Sequence, residues 1–451
     1  MKSITAELEP IVEPTSLEVI QENRDYTLFS WSVQNTTNPI HLKRGEGVYF
    51  WDGNDNRWLD FSSQLINLNI GHQHPKMLAA IKAQVDTLCF AGPSFATEPR
   101  GALGKKLSEV TGLAKAFFTL GGAEANENAI KMARLFTGRN KIITRYRSYH
   151  GATMGSMTAS GDPRRWPVEP GTPGVVRVFD PYCYRCPFGQ KVETCHRECV
   201  SHIEEIIQME NPSSIAAIMV EGITGSNGIL IPPDDYYPKL RALCDKYGIL
   251  LITDEVMSGF GRTGKWLATQ HYGIKPDIVT SAKGLTSGYM PLGTVIVSKP
   301  IAEYFETHML AGGLTYSGHP VCCAAAVANL AVYEEEDIFE NVRIQGEYLT
   351  ERLAGMKHRF ACVGDVRSIG LFSVIELVKD KATREPLAPF NGSSPQMVAL
   401  AKYLRQNYLY AFTRFNMLWV CPPLIITEKQ LGEGLDIIEN ALAIVDSLLE
   451  S

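Results

Sequence analysis

The sequence predicts an α/β protein built on a largely parallel sheet, and three observations carry that expectation. Short β-branched runs recur between about residues 70 and 320, at 141–146, 215–221, 249–256, 277–282 and 293–298, with helix-length segments between them. Their apolar character is nearly continuous rather than alternating, which marks strands covered by helices on both faces. The chain, at 451 residues, is long enough to bury a sizeable core in one large domain and a smaller lobe.

The elements follow in order. Residues 1–14 carry Glu7, Glu9 and Glu13 and lack a basic region followed by an apolar core, so they do not read as a secretion signal. Residues 47–51, the polar run 52–56 and residues 57–61 read as strand, turn, strand. Beyond Val321 come a long helical stretch, strand-like runs at 371–377 and 418–421, and a terminal helix over 428–449. These describe a small α+β lobe with which the N-terminal hairpin packs. The expected division is an N-terminal segment 1–69, a large domain 70–325 and a small C-terminal domain 326–451.

Composition narrows the function classes. Hydrophobic residues are 45% and charged residues 20%, ordinary globular usage. Net charge is −6, with no Lys/Arg block to attract nucleic acid or an anionic membrane. The longest apolar stretch, 321–333, falls short of the roughly 20 residues that span a bilayer. A cytoplasmic protein is expected, with no nucleic-acid or membrane partner.

Chemistry gathers at strand ends, where open α/β sheets place their ligands. The run 248–253 leads into Asp254-Glu255-Val256, two carboxylates where a buried strand emerges. A buried carboxylate costs several kcal/mol unless paired, and a cationic ligand atom would pair it. The run 277–282 leads into Lys283-Gly284. In a dry cleft a lysine's pKa falls toward the range of amine nucleophiles, and an aldehyde cofactor would use it as an imine. Phe117-Phe118-Thr119-Leu120 enters Gly121-Gly122-Ala123-Glu124-Ala125 and then a helical pattern. Two glycines opening a helix leave backbone N–H groups and the positive end of its dipole free for a phosphate. Taken singly, each motif also reads as a cap, an exposed lysine or a tight turn. Together they are the three handles that pyridoxal 5'-phosphate (PLP) needs.

The sequence resembles the class III (ω-amino acid) transaminases, PLP enzymes of fold type I, over essentially its whole length. The resemblance rests on Gly121 to Ala125, Tyr149-His150-Gly151, the run Asp254 to Gly264, Ser281-Ala282-Lys283-Gly284 and the run Thr315 to Pro320. It implies a mostly parallel seven-stranded sheet, with Gly122 and Ala123 on the cofactor phosphate and Tyr149 on one face of the ring. It further implies Val256 on the other face, Asp254 on the ring nitrogen and Lys283 as the imine lysine and proton carrier. His150 and Glu221 join the cofactor-binding set. Thr315 would reach the phosphate of a neighbouring subunit, which implies a homodimer or dimer of dimers with shared sites. Where the family often has Ser or Thr, this chain has Ala123, so the phosphate would rely more on backbone donors.

The implied reaction moves an amino group from an ω-amino acid or amine to a 2-oxo acid such as pyruvate or 2-oxoglutarate by a ping-pong route. Aminomutase or decarboxylase chemistry on the same handles, or a silent binding protein, are the alternatives. Arg414 lies where related transaminases keep a mobile arginine for the acceptor's carboxylate, a group that a guanidinium binds bidentately. Positions 64–67, Ile66 among them, are expected to line the substrate pocket. Ser62-Ser63-Gln64, residues 69–75 and the insertion 183–189 resemble the taurine and ω-amino acid branch. Cys183, Cys186, Cys195 and Cys199 form two close pairs, with His196 inside the second. The spacing suits zinc, but the second pair is one residue wider than the commonest arrangement and the chemistry requires no metal, so free thiols are expected.

Overall fold

The computed structural model describes residues 14–450, so the acidic stretch 1–14 lies outside them except for its last residue. Three short strands, β1 (Leu42–Glu46), β2 (Tyr49–Asp52) and β3 (Arg57–Asp60), form an antiparallel meander. The pair β2–β3 is the expected hairpin. Strand β1 carries no apolar alternation and is mostly exposed, which is why pattern alone misses it.

The central sheet has seven strands: β4 (Lys115–Thr119), β5 (Lys141–Arg145), β6 (Val175–Val178), β7 (Ile215–Glu221), β8 (Leu250–Asp254), β9 (Ile278–Ser281) and β10 (Gly293–Val297). Their spatial order is β4-β10-β9-β8-β7-β5-β6. Strand β10 runs against both its neighbours, and the pairs among β5 to β9 are parallel. The exception has a chain-length cause: the link from β9 to β10 holds no crossover helix, and a parallel return needs a dozen or more residues, usually helical. Every residue of β7 and β8 is buried, as their unbroken apolar runs require. Each Ile, Val or Leu so buried contributes about 1.5–3 kcal/mol.

The C-terminal part holds β11 (Val363–Ile369), β12 (Phe372–Asp380), β13 (Glu385–Pro386), β14 (Leu409–Tyr410), β15 (Thr413–Arg414) and β16 (Met417–Val420), and closes with the helix Glu428–Glu450. Strand β14 pairs in parallel with β3, and Leu59 and Phe61 share an apolar core with Leu431, Leu435 and Ile438. The N-terminal hairpin therefore packs with this lobe. Among the described residues no helix is long and apolar enough to cross a membrane.

Candidate active site

A cavity of about 550 Å³ opens at the carboxyl ends of the parallel strands. Its floor is set by register. Glu221 at the end of β7 stands beside Asp254 at the end of β8, and Asp254 stands beside Thr280 of β9. Lys283 follows three residues later, in the left-handed region at φ 45°, and lines the same cavity as Asp254 and Glu221. Burial lowers the Lys283 pKa to about 8, against the charges of Asp254 and Glu221, which favour the ammonium form.

Asp254 is held from three sides. Its Oδ1 accepts the backbone N–H of Val256 at 2.9 Å, and its Oδ2 accepts Asn126 Nδ2 at 2.7 Å. His150 Nδ1 lies 2.8 Å from the same Oδ2. With an ionised carboxylate that ring nitrogen carries the proton, and His150 Nε2 is left buried without a partner. Asn126 is fixed in turn by Thr280 Oγ1, which donates to its Oδ1 at 2.6 Å. Sequence reasoning missed Asn126, although its position one residue past the Gly-Gly-Ala-Glu-Ala quintet, on the buried side of the helix Gly122–Thr137, is the signal that would have found it.

Glu221 accepts the backbone N–H groups of Tyr149 and Gly225 at 3.0 and 2.7 Å. Burial, reinforced by the Asp254 charge, lifts its pKa to about 7. Glu255, the other half of the strand-end pair, turns away from the cavity, because side chains at successive positions leave a strand on opposite sides. Its carboxylate accepts Ser258 Oγ and the backbone N–H groups of Ala268 and Thr269, so it caps a loop and takes no part in the cavity.

The helix Gly122–Thr137 points its N-terminus at the cavity, where Gly121, Gly122 and Ala123 line the wall. Its first-turn N–H groups have no acceptor within the helix. A Cβ on Gly122 would come within 2.9 Å of both Val256 methyls, so only glycine lets this helix end close on Val256, two residues past Asp254. Gly151, at φ 134°, similarly abuts the Ala123 methyl, where a Cβ would approach to 2.5 Å.

The rim, outside the lining residues but against two of them, Tyr149 and Ser226, is built from other parts of the chain. Asp162, fully buried, is gripped twice: Arg414 donates to its two oxygens at 2.6 and 3.0 Å, and Arg164 at 2.8 and 3.1 Å. Burial alone would raise the Asp162 pKa, but the bonds from Arg414 and Arg164 outweigh it and hold the carboxyl well below the usual range. The Arg164 guanidinium also lies 3.6 Å from the centre of the Tyr149 ring and 5.2 Å from that of Trp31. Neither Asp162, Arg164 nor Trp31 was expected from the sequence. One placement, that of Ile66, differs from expectation. Ile66 does not line the cavity: at φ 55° its side chain joins the apolar cluster of Ile223, Ile229 and Trp419, and Asn67 takes the cavity wall instead. Thr315 is exposed and lies off the cavity of its own chain.

Residues 31–442 match the family model described as Aminotransferase class-III. The chain belongs to the class III aminotransferases. A taurine:2-oxoglutarate aminotransferase from Bifidobacterium kashiwanohense, solved with PLP and glutamate, superposes with a TM-score of 0.94 at 44% identity, covering 97% of this chain and 100% of that one. A leucine/methionine racemase from Thermococcus litoralis is 35% identical, over 93% of this chain and 94% of its own length. A taurine–pyruvate aminotransferase from Bilophila wadsworthia is 34% identical, over 95% of this chain and 98% of its own length.

This class III aminotransferase has the seven-stranded PLP fold of type I, and its cofactor is PLP. The cavity fits that group. An anion-binding helix end, a buried carboxylate and a lysine of lowered pKa all face one space, and the space is large enough for a cofactor with a small substrate.

Proposed function

We propose that this enzyme transfers the amino group of an ω-amino acid carrying a distant anionic group, of the taurine, β-alanine or 4-aminobutyrate type, to pyruvate or 2-oxoglutarate. In this reading Gly122 and Ala123 hold the cofactor phosphate, Tyr149 and Val256 flank the ring, and Asp254 takes the ring nitrogen. Glu221 and His150 support from behind. Thr315 serves the phosphate site of a second copy, in a cytoplasmic homodimer or dimer of dimers.

When bound, PLP supplies an aldehyde that condenses with amines and a ring that accepts electron density as a proton leaves the substrate. The chain's own part is to prepare for that chemistry. Asp254, fixed by Asn126, His150 and the Val256 N–H, keeps a negative charge facing the ring nitrogen and favours its protonated form. Lys283, with a neutral amine accessible near pH 8, would hold the aldehyde end of the cofactor, and its Nζ, when free, would carry the proton of the substrate's amine-bearing carbon.

The observation that carries the substrate class is the double grip on Asp162. One buried carboxylate held by two guanidiniums leaves a cation to spare at the rim. Arg414, at the end of β15, can release Asp162 and take an acceptor's α-carboxylate bidentately while Arg164 keeps Asp162 paired. Arg164, stacked on Tyr149 beside Trp31, suits a sulfonate or carboxylate lying away from the reacting amine.

A donor screen with taurine, β-alanine, 4-aminobutyrate, ornithine and aryl amines, each against pyruvate and 2-oxoglutarate, tests this reading. We expect anionic ω-amines to lead, with stoichiometric conversion of the oxo acid to its amino acid. Racemisation or decarboxylation of an amino acid without use of an oxo acid would overturn it.

A further inference from the structure

We propose that Cys183, Cys186, Cys195 and Cys199 form a structural site for a single zinc ion. The sequence gives two close pairs, and the fold brings both to one place: all four cysteines line one small cavity of about 20 Å³. That volume exceeds the roughly 10–15 Å³ that a single water needs and is far too small for an organic ligand. His196, although it sits between the second pair, is absent from the wall. The carboxylates Asp180 and Glu198 share the wall, but the four sulfurs are the soft donors there and make up the set that selects zinc among common divalent ions.

The backbone around each pair is built to turn. Cys183 opens the short helical turn Cys183–Arg185, and Gly189, at φ 67°, closes a turn in which its N–H donates to the Cys186 carbonyl at 3.1 Å. Cys195 donates its N–H to Lys191 O at 2.9 Å, and Arg197 adopts the left-handed region before the helix Glu198–Met209, whose first turn carries Cys199. Zinc with four thiolates carries a net charge of −2, the thiol protons passing to solvent. One guanidinium already answers part of that charge: Arg197 donates to Cys195 Sγ at 2.7 Å, and its Nε donates to Asp235 at 2.5 Å.

Among the described residues no three Cys, His, Asp or Glu side chains yet stand in a ready ligand arrangement, and all four cysteines are free thiols. Side-chain rotation is the movement that would close them on an ion: a χ1 change of about 120° between staggered wells moves a cysteine sulfur by roughly 3 Å.

The site would fasten the insertion to the start of the helix Glu198–Met209, beside the loop's own contacts with the small lobe. From the same loop, Tyr182 and Arg185 both bond the buried Glu376 of β12, Arg185 at 2.6 Å, and Arg367 bonds that carboxylate from β11 at 2.9 Å. A tetrahedral anchor at about 2.3 Å per sulfur would hold that loop in place.

Elemental analysis of the holoenzyme, expressed with zinc and purified without chelator, tests the proposal. We expect one zinc per chain, retained on dialysis and lost from a Cys183→Ser/Cys186→Ser variant. A second measurement uses the unmutated protein, in case the variant does not fold. Stripping zinc with a strong chelator should expose four additional dye-reactive thiols in step with metal release. No zinc in the holoenzyme, iron with sulfide in its place, disulfides among these cysteines by intact mass, or full zinc retention by the double variant would each overturn the assignment.

Discussion

The floor and the rim of the cavity are made differently. The floor comes from consecutive ends of parallel strands: Glu221, Asp254 and Thr280 lie in register, and Lys283 follows on the next turn. Its polar atoms are fixed by backbone N–H groups and by one another, so backbone geometry sets it. The rim is assembled from Trp31, Asp162, Arg164 and Arg414, residues of distant segments that meet through side-chain ion pairs and ring contacts. A rigid floor suits the cofactor chemistry, and a rim of exchangeable ion pairs suits a choice among substrates.

The largest effect should come from the floor. Lys283→Ala removes the proposed proton carrier, and kcat for amino transfer should fall by about 10³-fold or more with every donor, measured under saturating cofactor. Asp254→Asn keeps the shape and removes the charge. A loss of about 10²–10³-fold in kcat, again the same for all donors, is expected in steady-state assays. A donor-dependent loss in either variant would erase the distinction between floor and rim.

Rim variants should instead discriminate. Arg414→Leu should raise the KM for the oxo acid by roughly 10–100-fold, the worth of a charged, bidentate contact, with a smaller change in kcat. Arg164→Leu should raise the KM for taurine or β-alanine in a similar range and leave uncharged aryl amines little affected. Equal effects on both donor types would remove Arg164 from the recognition of anionic donors.

A pH experiment sharpens the account of the floor. In the apoprotein, Lys283 has a pKa of about 8, below its ordinary 10.5, because burial disfavours the ammonium. Covalent cofactor uptake should therefore rise through about pH 8 and fall roughly tenfold per unit below it, as the neutral fraction does. The linkage has a matching sign. Between about pH 8 and 10.5 the unfolded chain binds the extra proton, so the stability cost of burying this lysine is full below about 8 and is relieved as pH rises toward 10.5. An uptake rate that still rose tenfold per unit through pH 9, as a lysine at the ordinary 10.5 would give, would contradict the lowered pKa.

The smallest effect is a control. Ile66→Val, in the apolar cluster with Ile223 and Trp419, should cost about 0.5–1.5 kcal/mol in denaturant unfolding and leave kcat and KM unchanged. A shift in donor preference would return Ile66 to the pocket wall.

The same contrast explains what was legible in the sequence. Asp254 and Lys283 end apolar runs that can only be buried strands, and Gly121-Gly122 opens a helical pattern, so local periodicity locates the floor. Glu255 shows the limit of that logic: adjacency to Asp254 suggested a pair, while the pleat sends it to a loop cap. Asp162 and Arg164 sit at the start of a short, proline-containing turn with no periodicity to flag them, and the pairing of Asp162 with Arg414 spans 252 positions. Only the folded chain reveals such a contact. Ile66 failed for a related reason, since a residue at positive φ does not follow the facing rule of a strand or helix.

The central claim is that one lysine, at the end of β9, bonds the cofactor over the carboxylate of Asp254. Borohydride reduction of the holoenzyme, followed by peptide mass spectrometry, tests it most directly. The account predicts a single pyridoxyl-modified residue, Lys283, with modification abolished by prior incubation with a competent amino donor. Modification of a different lysine, or none in fully loaded enzyme, would contradict it.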